Sequence, residues 1–283
     1  MQSTNYAYVN GRFVPESEAT VSIFDRGFLY GDGVFETMRV YSGRIFRLHN
    51  HLRRLRNGLK VLQIGLRITE EDLRATLLQL IERNNVKDGM ARIYITRGSS
   101  GSGAKGQAPW EPTVAATARQ RVYPSVDLRV IISLIRLDAD SRLAGIKSAN
   151  RVLYEMAQHE ARNAGVTDAL LLNKAAHVVE LTTSNLFVVK NGDLFTAPLS
   201  DGPLPGITRD LVLTLAAQLG TPAYEMSFGT EIFSDADEVF ATNSLMEIEP
   251  VFEVDGAKFR EHHITMRLQN AYREFVVEEL RQS

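Results

Sequence analysis

No cysteine occurs anywhere in the chain, which excludes a disulfide framework, a thiol nucleophile and thiolate metal ligands. An excess of one charge sign is missing too: 32 Lys and Arg stand against 34 Asp and Glu, a formal net charge of −2. Nothing global therefore draws the chain toward nucleic acid or an anionic membrane. No apolar run approaches the ~20 residues that span a bilayer. The start, MQSTNYAYVNGRFVPES, lacks the apolar centre of a signal segment. These absences lead to the expectation of a soluble, cytoplasmic protein. What is present is an ordinary globular composition, 44% hydrophobic and 23% charged over 283 residues. That is enough chain for one large domain or two modest ones.

Local pattern supplies the elements. YAYVNGRFVP alternates apolar residues around Asn10-Gly11 and predicts a hairpin. GVFETMRVYSGRIFRL repeats the pattern around Ser42-Gly43. From Leu48 the period becomes helical, through Leu52, Leu55, Leu59 and Leu62. A second helix is expected over Glu70–Arg83, capped by Thr69. Strands ARIYITR and TVAATAR follow, separated by a glycine- and serine-rich stretch, GSSGSGAKGQAPWEP, that reads as a mobile loop. Strands LRVIISLI, DALLLN, NLFVVK and DEVFATN then mix with helices near 150–163, 208–218 and 265–280. The class is α/β or α+β. The expected division is a domain over 1–120, a linker over 121–127 around Tyr123-Pro124, and a domain over 128–283.

The chemistry turns on LAGIKSANRVL. Lys147 lies in a short connection beside the apolar Leu143, Ala144 and Ile146, whereas the other lysines fall in polar helices, turns or the loop. By itself it reads more readily as a solvated helix-start lysine. Desolvated, it could lower its pKa and condense with an aldehyde as a Schiff base. Pyridoxal phosphate is one cofactor that uses such a lysine, and it also needs an acid at its ring nitrogen and a phosphate cradle. Glu180, in VVELTTSNLFVVK, is the acid candidate, with a hairpin-turn carboxylate as the other reading. Gly206, Ile207 and Thr208 open an amphipathic helix whose unpaired N–H groups suit an anion, although an ordinary helix cap has the same pattern. Thr242, Asn243 and Ser244 form a second polar cluster, and Arg47 could add a planar cation.

Taken together, DRGFLYGDGVFETMRVYSGRIFRLHNHLRRL, GIKSANR, ELTTSNLF, GITRD and ATNSLMEIEPV resemble the class IV, or fold-type IV, pyridoxal-phosphate enzymes. That family includes branched-chain and D-amino-acid aminotransferases, (R)-amine transaminases and aminodeoxychorismate lyases. The resemblance covers nearly the whole chain. It implies a small N-terminal α/β domain, a larger C-terminal pseudo-barrel domain with cofactor between them, and a homodimer whose partner loops help wall each pocket. It implies that Lys147 is the Schiff-base lysine and proton shuttle, and that Glu180 partners the pyridine nitrogen. Arg47, Ile207, Thr208 and Thr242, with Asn243, resemble the phosphate cup, and Leu204 the residue packing on the ring. Arg151 departs from the tyrosine that branched-chain enzymes often carry after the asparagine.

For the substrate side, Tyr30, Phe35, Arg39 and Tyr94 resemble the walls of branched-chain transaminases. Thr37 is closer to lyases, as is TRGSSGSG. Ser102 stands where a lyase arginine is expected, and Ser102 and Ala104 where some D-amino-acid enzymes carry an arginine–histidine pair. Arg97 is the remaining nearby cation, read equally as a carboxylate anchor or a strand-end residue. The expectation is a transaminase moving an amino group between a small or branched aliphatic amino acid and 2-oxoglutarate or pyruvate. The lyase is the alternative, and a D-amino-acid or (R)-amine enzyme follows it. The basic helix HNHLRRLRNGLK could suggest nucleic acid, but arginines opposite a leucine face read as solvated surface. His49 and His51 are spaced for different helix faces, not for a metal. No nucleic-acid partner, membrane or metal is expected.

Overall fold

Asn10-Gly11 and Ser42-Gly43 both take positive φ, at 45° and 89°, and at 49° and 79°, the backbone that lets two strands turn directly back on each other. In the computed structural model, which describes residues 5–100, 110–123, 125 and 127–282, they join β1 (Tyr6–Val9) to β2 (Arg12–Pro15) and β3 (Gly33–Tyr41) to β4 (Arg44–Ile45). Between the hairpins lies α1 (Arg26–Tyr30), which pattern reading does not find because it spans barely more than a turn. Asp25 caps it by accepting the Gly27 N–H at 2.7 Å. Next come α2 (Leu48–Val61), α3 (Glu70–Arg83), β5 (Gly89–Ser100) and β6 (Trp110–Gln120). Thr69 and Asp72 form a reciprocal capping box on α3.

These six strands form an antiparallel sheet in the order β2-β1-β6-β5-β3-β4. Alternate residues Val34, Met38 and Val40 of β3 join Leu52, Leu55 and Leu59 of α2 and Leu73, Leu77 and Leu80 of α3 in one core. The intervening residues, Phe35, Thr37 and Arg39, therefore point to the opposite face. Strand pairing reaches Ser100 and Trp110, further into the expected loop than its composition suggests. Ser102 and Ala104 lie outside the described residues.

The chain forms two compact units, Met1–Val122 with Ile146–Arg151, and Tyr123–Gly145 with Val152–Ser283. Residues 146–151, which the sequence reading groups with the second domain, thus cluster with the first. The reason is strand addition: Phe35 N–H donates to the Lys147 carbonyl at 3.0 Å, and Ala149 N–H to that of Gly33 at 2.9 Å. Ser148 bridges Val34, and Ile146 packs on the core.

The second unit runs β7 (Leu128–Leu137), α4 (Val152–Asn163), β8 (Asp168–Asn173), β9 (Val178–Leu181), β10 (Asn185–Lys190), β11 (Asp193–Thr196), α5 (Ile207–Gln218), β12 (Ala223–Glu225), β13 (Glu238–Asn243), β14 (Glu247–Val254), β15 (Ala257–Lys258) and α6 (His263–Gln282). Strands β10-β13-β14-β7-β8-β9 follow one another, and β9 pairs back onto β10, so the sheet closes into a barrel. Closure pairs the ends of this six-strand run with each other, while β11 and β12 extend from β10 and β15 from β14. The closing contact is Glu180 opposite Asn185. A tight turn sets that register, with the Leu181 N–H donating to the Ser184 carbonyl at 2.8 Å. Among the described residues no helix is long and apolar enough to cross a membrane.

Candidate active site

Three neighbouring strands place one polar row on the second unit. Glu180 on β9 pairs with Asn185 on β10, and Asn185 with Thr242 on β13. Paired residues project to the same side of a sheet, and two inter-strand steps separate the acid from the threonine by about 10 Å. All three are buried, at 5%, 5% and 1% exposure. Glu180 lies within a strand, not in a turn. Its Oε1 accepts from the Tyr154 hydroxyl at 3.0 Å, and its Oε2 from the Leu204 N–H at 3.1 Å and Asn185 Nδ2 at 3.4 Å. Donors therefore reach both oxygens of the carboxyl group.

Asn185 ties this acid to the start of α5. Its amide also donates to the Leu204 carbonyl at 2.9 Å. A Cβ added to Gly206 would fall 1.9 Å from Asn185 Oδ1, so glycine lets the helix start approach the row. No side chain caps α5 at Gly206, leaving its first N–H groups available to an anion. Thr208 is buried. The Thr242 hydroxyl is buried with no hydrogen-bond partner among the described residues, an arrangement that costs free energy unless a ligand supplies the partner. A fixed carboxyl group at one end of the row and an orphaned hydroxyl beside open N–H groups at the other fit the ring nitrogen and phosphate of pyridoxal phosphate. Asn243 is occupied differently: its Nδ2 donates to Ser184 Oγ at 2.9 Å, and its Oδ1 accepts from the Leu245 and Met246 N–H groups. It holds the β13–β14 turn.

In the first unit, β3 carries Lys147 through backbone pairing, and the Lys147 ammonium nitrogen lies 4.8 Å from the Phe35 ring centroid. Phe35 stacks on Tyr94, its partner on β5, at 5.2 Å and 19°. Beside them Arg92 Nε donates to Thr37 Oγ1 at 2.9 Å, and these two are also register partners. Arg39 continues the face two residues on, its guanidinium 4.9 Å from the Tyr41 ring centroid. Sequence reading missed Arg92; period-two alternation from Tyr94 is the signal that finds it. Arg47, just ahead of α2, is held at φ 55° and ψ 32°, a left-handed backbone that non-glycine residues seldom adopt.

Two other expected wall residues lie off this sheet face. Arg97 donates to both oxygens of Asp32, at 2.8 and 3.2 Å, and to the carbonyls of Leu62 and Gln63. These bonds tie Arg97 to Asp32 and to the end of α2. Burial pushes the Asp32 carboxyl up, but Arg97 and Arg26 bring it below its ordinary range. Tyr30 sits on α1, 61% exposed, under the Arg26 guanidinium.

Beneath β3 lies a buried cluster that includes Arg54, which the sequence reading took for solvated surface. Glu36, fully buried, accepts from Arg54 Nε and Nη2 at 2.7 and 2.8 Å and lies 2.7 Å from His51 Nδ1. Positions 51, 54 and 55 share a helix face, so Arg54 and His51 turn inward beside the leucines while His49 meets Glu70 outside. Burial pushes the Glu36 carboxyl up, yet Arg54 and His51 hold it at about 2.

Residues 33–254 match the family model described as amino-transferase class IV. A Methanocaldococcus jannaschii protein named for branched-chain-amino-acid aminotransferase activity is 37% identical over 252 residues, 88% of each chain. The D-alanine aminotransferase of Listeria innocua is 30% identical over 278 residues, 95% of each chain. The branched-chain amino acid aminotransferase of T.th., solved with pyridoxamine 5'-phosphate, superposes with a TM-score of 0.89 at 29% identity. That match covers 96% of this chain and 94% of the other.

Proposed function

Because the chain belongs to the amino-transferase class IV family, we propose that it is a pyridoxal-phosphate transaminase for small or branched aliphatic amino acids, with 2-oxoglutarate as the favoured acceptor and pyruvate the lesser one. The observation that carries the substrate reading is the single sheet face with stacked Phe35 and Tyr94 beside Arg92 and Arg39. The aromatic pair offers an apolar wall to an aliphatic side chain, and two guanidinium groups suit a carboxylate. A second carboxylate on the acceptor makes use of the second cation.

In this reading Lys147 tethers the cofactor, Glu180 partners its ring nitrogen, and Thr208, Thr242, the Ile207 N–H and Arg47 hold its phosphate. Leu204, whose backbone braces Glu180, lies at the ring. When bound, pyridoxal phosphate supplies an aldehyde for the lysine and an electron-accepting ring for the bond broken at the substrate α carbon. Lys147 Nζ then accepts the proton released from that carbon, and the ionised Glu180 keeps a proton at the ring nitrogen. Val21, Ile23, Phe24, Phe28, Leu29 and Tyr30 form a run of exposed apolar residues, which supports assembly as a homodimer through this segment.

Borohydride treatment of the yellow enzyme should fix the cofactor to a peptide containing Lys147. In a half-reaction panel with both enantiomers of several amino acids, an aliphatic amino acid alone should bleach the aldehyde absorption, and 2-oxoglutarate should restore it. Release of pyruvate and 4-aminobenzoate from aminodeoxychorismate, with no such half-reaction, would refute amino transfer.

A further inference from the structure

We propose that Tyr154 is a positioning residue for Glu180, its hydroxyl fixing the carboxylate's orientation and keeping the proton of the acid–ring pair on the ring nitrogen. This rests on the assignment of Glu180 to that nitrogen.

The placement follows from matched spacings. Along α4, Tyr154 and Gln158 are four residues apart, a rise of about 6 Å. Along the opposing chain, Glu180 and Thr182 are two apart, about 6.7 Å. Tyr154 Oη meets Glu180 Oε1 at 3.0 Å, and Gln158 Oε1 lies 2.8 Å from the Thr182 hydroxyl. Two polar contacts one helical turn apart thus clamp the acid strand from outside the barrel. Ala157 and Ala161, both fully buried, let α4 sit close to the sheet. The Tyr154 ring packs against the cluster of Ala157, Ala161, Leu171 and Val179. The aromatic body is therefore held by the core, and only the hydroxyl reaches the carboxylate.

Two further donors to Glu180 act on its other oxygen. Leu204 N–H and Asn185 Nδ2 both bind Oε2, so Tyr154 is the α4 contribution on Oε1. A hydroxyl hydrogen-bonded to an ionised carboxylate favours that form. A carboxylate made less basic in this way leaves the shared proton on its partner.

The test uses holoenzyme loaded with pyridoxal phosphate carrying ¹⁵N in its ring, with the nitrogen resonance reporting the proton's position. Tyr154→Phe should move the resonance toward that of Glu180→Gln and slow the first half-reaction roughly tenfold, with substrate Kd unchanged. The retained ring should leave the melting temperature close to wild type. Incorporating 3-fluorotyrosine at position 154, a stronger donor, should move the resonance beyond the wild-type position toward the fully protonated ring, a shift that a purely packing role would not produce. If Glu180→Gln moves the resonance and Tyr154→Phe leaves it at the wild-type value, the positioning role is overturned. If Glu180→Gln itself leaves it unmoved, the assignment of Glu180 falls, and the role of Tyr154 with it.

Discussion

Glu36→Gln isolates the buried ionic cluster, because it keeps side-chain size while removing the negative charge. In the folded chain the Glu36 carboxyl is fully buried and held at about 2 rather than its ordinary 4.5. That difference is worth about 3 kcal/mol at about 1.4 kcal/mol per pH unit. A second route gives a similar figure, since breaking a buried pair from one side deprives the Arg54 guanidinium of its Glu36 partner, at about 3–5 kcal/mol. The sign follows from the depressed folded value: the contribution is complete above about pH 4.5 and is lost as pH falls toward 2. His51, lowered by burial and partly offset by Glu36, adds a loss of the same sign that begins below its ordinary 6.5. Urea unfolding of wild type and Glu36→Gln between pH 7 and 3 reads the difference. It should be about 3 kcal/mol at neutral pH and shrink below about pH 4.5. A gap that stays constant to pH 3, or one under about 1 kcal/mol at pH 7, would refute the reasoning. Replacing Glu36, His51 and Arg54 together by apolar residues of similar volume should cost less than Glu36→Gln alone.

Arg97→Ala should lower unfolding free energy by about 2 kcal/mol, because it removes charge-assisted bonds to Asp32. KM for amino acids should stay within about twofold of wild type; a KM raised tenfold at unchanged stability would return Arg97 to the substrate. Gly206→Ala keeps an allowed backbone, φ −69° and ψ 133°, so its effect is the collision with Asn185. Cofactor titration followed by fluorescence should show weaker binding by roughly tenfold, and Asn185→Ala in the same chain should recover part of it.

The elements legible from sequence are those written locally. Hairpins at Asn10-Gly11 and Ser42-Gly43, the Thr69 cap and the leucine period from residue 48 each need only a few neighbouring residues, and the fold contains all of them. Strand register is non-local, which is why Arg97 drew attention and Arg92 did not. Tyr94 and Arg92 share a face at a spacing of two, whereas Arg97 lies an odd step away, where β5 loses register with β6 between Thr96 and Ser99. Arg54 misled for a related reason. A helical face reads as polar surface until the partner strand is known, and Glu36 lies on that strand, fifteen positions before His51.

The row Glu180–Asn185–Thr242 shows how little sequence a polar row needs once topology is set. A hairpin turn between Leu181 and Ser184 fixes which residue faces Glu180, and the β10–β13 pairing then fixes Thr242. A slip of one residue in the first pairing would turn the acid to the opposite side of the sheet and break the row. Asn185 occupies the middle of that row and also abuts Gly206, so one side chain sets the acid, the helix start and their mutual spacing. This explains the absence of a side chain at 206 and the bulk at 185 as a single steric decision. It also explains why these groups sit where the barrel closes: closure is the point at which strands far apart in the sheet order are forced into one register, and polar side chains there are held by backbone pairing on two sides at once.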